Sequence, residues 1–600
     1  MRSLKCRPRL SCLLASTLSL AAACTTSGNS GTTGSIQRRP TGGSTTGSVG
    51  SSLGEGCASD ADCGGGLTCF TNVPGGYCSS NCDTDANCPA GASCVVPLPG
   101  AQICVSSCQS VNDCTRAGYA CDTDCSVCVP DGTQTLVSCA GHQAGGGGHL
   151  PDGGACGASL GDGGFVSWSA AVEVSANPLT SSEAQGVLLV GGGTSLTSAF
   201  MVVPADAGSP PPENWIGLAT SPDDGAGFTS QAPIADEPGT ISGDPSLAMD
   251  SSGNQYLAYF GYDPSRGGIA HLWVATQGDG GWSSPQDVLG PGDLADAGGG
   301  IDWPFLAVNP VTRQPLIVFA DFAGLFGGFG PYRIKLIAGQ PGGTSFLPSV
   351  DVDDGTRLAF RDLPSMAFDQ TGMLYLAWVE ASDPTTVAED QATGVDLTGS
   401  TTNAVYFTTA TVRDGGAVTV APSNRLVSGD AGESIVVDSA HLAVEPDGTG
   451  VFVTYVVAAS GGGTDIELAV SHNQGFTWPV HTVVDDQPGC ATHFHPSPFL
   501  DIKNRLWVSW VDNRDGAGNV YCAFSSNSGV SFSPSQRVSS QPFFFTTLIP
   551  SSYGGVPAWL GGSQMMTGSG TQLYATWTGA EGGTSNNSPA HVYFAKAPLP

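Results

Sequence analysis

The sequence predicts an all-β chain: a seven-bladed β-propeller preceded by a small disulfide-rich module. Three observations predict it. Short β-branched and aromatic runs separated by Gly, Asp and Pro fill residues 164–600, the texture of many short strands. One strand-like run recurs seven times through that region. Between residues 57 and 130 the cysteines fall into three tandem units.

Composition agrees with this reading. With 85 Gly, 41 Pro and 12% charged residues in 600, the chain does not describe a helical protein. Its 20 Lys plus Arg stand against 52 Asp plus Glu, a formal charge of −32, which excludes a nonspecific hold on nucleic acid because counterion release needs clustered cations. Such an acidic surface serves solubility without any dedicated cation site.

Residues 1–24 place Arg2, Lys5, Arg7 and Arg9 before an apolar run from Leu10 to Ala23, the order of a secretory signal. Leu20-Ala21-Ala22-Ala23-Cys24 resembles the lipobox of bacterial lipoproteins, which implies that Cys24 becomes a lipidated N-terminus. The expected location is the outer membrane or cell surface, held by acyl chains alone; the run is too short to span a bilayer. A plain cleaved signal with an incidental Cys is the alternative, giving a periplasmic or secreted protein. Residues 25–56 are Gly, Ser and Thr with almost nothing to form a core, and read as a flexible stalk.

From Cys57 the spacing is regular: Cys57, Cys63, Cys69, Cys78; then Cys82, Cys88, Cys94, Cys104; then Cys108, Cys114, Cys121, Cys125 and Cys128. Units this short cannot bury enough apolar surface to fold unaided, so in an exported chain the cysteines read as disulfides. Zinc is the competing reading, but residues 57–130 contain no His. The connectivity stays open. A Gly-rich linker, 131–163, follows. Further along, Cys490 and Cys522 lie in neighbouring elements and are expected to pair.

In 164–600 the recurring run is NWIGLA (214–219), IAHLWVA (269–275), YRIKLIA (332–338), AVYFTTA (404–410), DIELAVS (465–471), NVYCAFS (519–525) and HVYFAKA (591–597). Each follows a strand of its own, such as YLAYF (256–260) or LWVSWVD (506–512). Ahead of most lies a further short strand, often announced by Pro, as in DPSLAMD (244–250) and LPSMAFD (363–369). A Gly-centred turn and a fourth strand complete a four-stranded antiparallel blade, and blades repeated around an axis leave no long open edge. The orphan strand FVSWSAAVEVSA (165–176) precedes the first blade, while the last ends without a fourth strand. The first is therefore expected to complete the last and clasp the ring.

The turns SPDDGAGF (221–228), SHNQGFTW (471–478) and SSNSGVSF (525–532) resemble the Asp-box, or BNR repeat, of sialidase-like propellers, with Asn473 and Asn527 in place of Asp. A short carboxylate or amide caps the turn, and Gly accepts a positive φ. The resemblance covers roughly 165–597 and implies six blades as an alternative, with a substrate clamp of three Arg, a Tyr nucleophile assisted by Glu, and an Asp acid. YRIK (332–335) is similar to the family's Phe/Tyr-Arg-Ile-Pro motif, but Lys335 replaces Pro and the motif falls in the third blade. The other Arg residues carry no sialidase-specific context, so the resemblance is of shape rather than chemistry.

Propeller geometry sends the starts of first strands and the ends of second strands to one face near the axis. Asp244, Asp302, Asp362, Asp438 and His495 precede first strands; Asp263, Asp321, Glu380, Asp512 and Glu581 follow second strands. Arg266, Arg361 and Arg514 join them, flanked by Trp303, Tyr262 and Tyr553. Carboxylates and Arg hydrogen-bond sugar hydroxyls or acids, and aromatic rings stack on pyranose faces. The competing reading of each Asp is a turn cap repeated by every blade. Catalytic candidates are Asp244, Asp302, Asp362, Asp438, Glu380 and Asp512; ligand-binding candidates are Arg266, Arg361, Arg514, Trp303, Tyr262 and His495. No cofactor or metal is expected, since His493 and His495 in THFHP lack a placed third ligand. The expected function is binding of an extracellular glycan or protein at the top face. The alternative is a glycoside hydrolase, exo-sialidase-like, acting on extracellular glycans.

Overall fold

A computed structural model describes stretches of the chain between residues 53 and 138 and, with interruptions in the longer loops, residues 165–600. Contacts separate Met1–Val49 from Gly50–Pro600, and the first of these, with Cys24, lies outside the described residues.

Each cysteine unit forms a hairpin: Thr68–Phe70 with Tyr77–Ser79, Ala92–Pro97 with Ile103–Ser106, and Tyr119–Asp122 with Val127–Pro130. In all three, two cysteines face each other across the ladder: Cys69 and Cys78, Cys94 and Cys104, Cys121 and Cys128. The bonds run elsewhere. Cys57–Cys69, Cys63–Cys78, Cys88–Cys104 and Cys114–Cys128 are disulfides, so in the first unit both hairpin strands are stapled to the loop ahead of them. Sulfurs bonded in this way are not zinc ligands.

Seven antiparallel sheets follow, and in the first six the strands run from the axis outward in chain order. Their innermost strands are Ser181–Val190, Ile241–Met249, Gly300–Val308, Phe360–Phe368, His441–Val444, His493–Leu500 and Met566–Gly568, in blades 1 to 7. These touch one another in cyclic order, and the seventh returns to the first. The architecture is a seven-bladed propeller, so the six-bladed alternative is set aside. The clasp also forms: Val172–Glu173 pairs with the third strand of blade 7, His591–Pro598, putting Glu173 opposite Tyr593 and Val172 opposite Phe594.

The core is distributed among the seams between blades. Alternate residues of one strand serve opposite seams: in blade 3, Ile317 and Phe319 pack against blade 2 while Leu316, Val318 and Ala320 pack against blade 4. That is why Pro315–Phe322 is apolar nearly throughout and buried along its whole length, although antiparallel strands usually alternate. A propeller blade has no wet face.

The recurring turn has the same hydrogen bonds in blades 1, 5 and 6. The Ser221, Ser471 and Ser525 hydroxyls each accept from the glycine N–H four residues on, at 2.8–2.9 Å. The Asp223, Asn473 and Asn527 side chains accept from the backbone N–H four residues on, at 3.3, 2.9 and 3.1 Å. The glycines are required twice over. Gly225, Gly475 and Gly529 have φ of 78°, 74° and 82°. A Cβ on each would lie 2.1, 2.0 and 2.5 Å from Phe594, Phe407 and Leu468, all in the third strand of the preceding blade. The aromatic closing the motif joins the same seam: Phe228 meets Phe594 and Trp478 meets Phe407, both edge to face.

Candidate functional site

The axial ends of four inner strands carry the same distortion. Pairing slips between Gly243 and Ser246, Asp302 and Phe305, Asp362 and Ser365, and Phe494 and Ser497. At each bulge the residue before Pro is left-handed: Asp244 (φ 48°), Trp303 (49°), Leu363 (55°) and His495 (54°). An inner strand has no neighbour on its axial side, so the missing proline N–H breaks no ladder bond. Bulges re-aim side chains. Left-handed backbone at Trp303 and Leu363 costs on the order of 1–3 kcal/mol each. It is held by the preceding carboxylates: Trp303 N–H donates to Asp302 Oδ1 at 2.8 Å and Leu363 N–H to Asp362 Oδ1 at 2.7 Å. The serine after the proline then ties its strand to the next blade. Ser246 accepts from Leu306 N–H at 2.9 Å, Ser365 donates to the Ala440 carbonyl at 2.6 Å, and Ser497 accepts from Met566 N–H at 3.3 Å.

The bulges bring Asp244, Asp302 and Asp362, from three consecutive blades, into one interacting group. The Gln185 amide of blade 1 donates to Asp244, and Gln185 Oε1 accepts from Asp244 N–H at 2.8 Å. Asp244 and Asp302 hydrogen-bond each other, which requires a proton on one of them. Burial, then the Asp302 charge, holds Asp244 well above the ordinary carboxylate range; burial raises Asp302, and burial followed by Asp302 raises Asp362 strongly. Among the described residues, no cation is one of the groups acting on Asp302 and Asp362. Protein encloses all three, yet Asp244 and Asp302 keep partial contact with solvent, while Asp362 is 3% exposed. Tyr332 stands beside them: burial, then Asp362 and Asp302, pushes its hydroxyl up to about 12.

Blades 5 and 6 supply a second pair. His495 Nδ1 lies 2.8 Å from Asp438 Oδ1, and His495 N–H donates to Asp438 Oδ2 at 2.6 Å. His441 adjoins both, its ring set edge to face against Phe305. Burial lowers the His441 imidazole to about 4, with Asp438 working against that shift.

The charged candidates Arg361, Glu380, Arg514 and Asp512 are engaged in ion pairs. Arg361 is bound to Glu380 at 3.0 Å, lies 3.8 Å from Asp353 and donates to the Tyr332 carbonyl at 3.0 Å. Arg514 is bound to Asp512 at 2.6 Å and Asp486 at 2.7 Å, over the Tyr521 ring at 4.2 Å. His493 completes that network, with Nε2 3.1 Å from Asp512 and 3.8 Å from Asp485. Asp321 pairs with Lys335 at 3.4 Å. Trp303 is buried rather than displayed as a stacking platform, and Tyr262 is half-buried in the second strand of blade 2. Arg266, Tyr553 and Cys490 lie outside the described residues, as do the side chains of Asp263 and Glu581. The expected Cys490–Cys522 bond does not form. Cys522 is a free thiol at 0% exposure in the seam of blades 6 and 7, among Phe494, Trp507 and Val520. The alternation of its strand turns it into apolar packing, and burial pushes its ionisation up.

Sequence reasoning passed over Gln185, Tyr332 and His441. The signal available for the axial set was the recurrence of X-Pro-Ser at 244–246, 363–365 and 495–497, since a proline repeated in the same strand of several blades marks a repeated bulge.

No family model matches the chain, and no curated protein does. Among solved structures it is similar to a Dyadobacter fermentans protein of unknown function, at 16% identity over 58% of this chain and 94% of that one, TM-score 0.39. It is similar to a Trypanosoma rangeli sialidase in complex with sialic acid, at 10% identity over 72% of this chain and 59% of that one, TM-score 0.35. It is also similar to a Penicillium chrysogenum α-L-arabinanase complexed with arabinobiose, at 10% identity over 71% of this chain and 98% of that one, TM-score 0.36.

Proposed function

We propose that this is an exported protein, lipid-anchored through Cys24, whose propeller binds the hydroxyls of an extracellular glycan at the axial acid cluster. The observation that carries the reading is the convergence of Asp244, Asp302 and Asp362, with no cation among the described residues acting on the latter two and with Asp244 and Asp302 still in contact with solvent. Carboxyls that share protons both donate to and accept from hydroxyls, as a sugar requires. Arg361 and Arg514 are engaged within the protein, so the cluster favours a neutral sugar over an acidic one. Lipid anchoring rests on the sequence around Cys24 alone.

A specific observation favours hydrolysis as the second reading. Burial and the neighbouring Asp302 charge raise Asp362 strongly, and a carboxyl raised beside a second carboxyl is what general-acid chemistry on a glycosidic oxygen uses. The test is to present the purified protein, Asp302→Asn and Asp362→Asn to a glycan array and to a panel of chromogenic glycosides. Binding of a neutral glycan lost in both variants, without turnover, is the expected result; turnover lost in Asp362→Asn turns the site into an enzyme. Glycan binding indifferent to both substitutions overturns the assignment. Labelled-palmitate incorporation lost in Cys24→Ala tests the anchor.

A further inference from the structure

A second polar cluster lies far from the axial strands, in the outer part of the seam between blades 4 and 5. Tyr455, in the second strand of blade 5 (Val451–Ala458), stands directly opposite Glu467 in the third (Thr464–Ser471). Glu467 faces Val483 in the outermost strand (Val480–Val483), two residues from His481, so Tyr455, Glu467 and His481 project from one face of the sheet. That face packs on blade 4, which brings up Ser428 and, just beyond it, Glu433. Among the described residues, ligand atoms from Glu433, Glu467 and His481 all lie within 4.8 Å of one another.

We propose that Glu433, Glu467 and His481 form a binding site for a borderline divalent cation, Zn2+ by its donor set. The imidazole is oriented for it. His481 Nε2 lies 3.1 Å from the Trp478 carbonyl, and a carbonyl can only accept, so Nε2 carries the proton and Nδ1, which faces the Tyr455 hydroxyl, is left to ligate. A backbone carbonyl behind one ring nitrogen is the usual support of a metal-binding histidine. The Tyr455 hydroxyl has a single proton and two acceptors in reach, Glu467 Oε2 at 2.8 Å and His481 Nδ1 at 3.0 Å. A cation at Nδ1 resolves that competition and leaves the Tyr455 O–H donating to Glu467 Oε2. Glu433 is steadied by Gly429 N–H at 3.1 Å and by the Ser428 hydroxyl, both donating to Oε2. Burial, and after it the Glu433 charge, also pushes the Glu467 carboxyl up, with the Tyr455 hydrogen bond working against them. One imidazole with two carboxylates suits Zn2+, whereas Ca2+ takes six to eight oxygens. His481 is exposed, so the ion has a path in.

The site would pin the outer edges of two neighbouring blades, independently of what the axis binds. The test uses the untagged full chain stripped with a chelator, with Zn2+ as the probe, followed by titration calorimetry and by melting with and without the metal. The expected result is one Zn2+ equivalent that raises the melting temperature and survives excess Ca2+. His481→Gln and Glu433→Gln should each lose that equivalent, weakening it by roughly 100-fold or more, since even outer-shell changes cost about 10–100-fold. Because the readout is the difference that metal makes, it still decides if one variant melts lower in chelator. A wild-type chain that takes up no Zn2+, or variants that keep both the equivalent and the metal-induced shift, overturns the proposal.

Discussion

Two groups of buried carboxylates at the upper ends of the blades differ in one respect, their counter-charge. Around His493, the carboxylates of Asp512 and Asp486 are answered by Arg514 and by the imidazole itself. Burial opposes the charge on His493, but Asp512 and then Asp485 outweigh it and raise the ring to about 9, while Asp512 is held far below its usual range despite burial. Around Asp302 the described residues offer no such answer, and all three carboxyls are raised. The first group is built to hold blades 5 and 6 together. The second is costly to hold, and perturbed carboxyls of this kind cluster at functional sites.

The largest expected effect tests the compensated side. His493→Gln leaves Asp512 and Asp485 buried beside each other with one cation fewer, and removing one partner of a buried pair costs about 3–5 kcal/mol. Urea unfolding at pH 7 measures it. The His493 contribution is complete below its unfolded value of roughly 6.5 and is lost as pH rises through about 9. The Asp512 contribution is present above its unfolded value and lost as pH falls. The gap between wild type and variant should therefore close at alkaline pH.

Next comes Gly475→Ala, in the rim turn. An added Cβ meets Phe407 at 2.0 Å with φ at 74°, so left-handed strain and overpacking combine to roughly 2–4 kcal/mol. It should leave any ligand affinity at the axis unchanged, which separates rim from hub.

Asp362→Asn should act with the opposite sign. A carboxyl raised in the fold costs nothing below its unfolded value of about 3.9, and its penalty grows as pH rises toward the folded value. An amide keeps the acceptor for Leu363 N–H and carries no charge. Stability should rise on the order of 1–3 kcal/mol at pH 8 and be unchanged near pH 3.5. A loss of stability at both pH values would move Asp362 into the same class as the turn caps and remove the contrast.

The contrast itself was only half visible in the sequence. The blades, their number and the clasp were legible because each leaves a local mark: a repeated run, a repeated turn, and one strand too many at the start of the region. Asp244, Asp302 and Asp362 were legible as a set because the same device recurs near the start of the first strand in three consecutive blades. The identity of partners was not. Arg361 and Glu380 face each other across two strands, and Arg514 reaches Asp486 in the preceding blade, so whether an arginine is free depends on pairing between segments that sequence order does not report. Cys522 failed for the related reason that one residue of alternation decides between a seam and a loop.

The smallest effect bears on the motif that first marks the repeats. Asn473 and Asn527 do with an amide what Asp223 does with a carboxylate, accepting from the N–H four residues on. The amides also donate, Asn473 Nδ2 to Thr477 Oγ1 and Asn527 Nδ2 to Ser531 Oγ, each at 2.9 Å. In Asn473→Asp the Thr477 hydroxyl can turn and donate instead, so the bond survives with its direction reversed, and unfolding should shift by no more than about 0.5 kcal/mol. A loss near that of Gly475→Ala would mean that the side-chain donor, rather than the acceptor and the glycine, sets this turn. Blade 1 would then close its rim by different physics from blades 5 and 6.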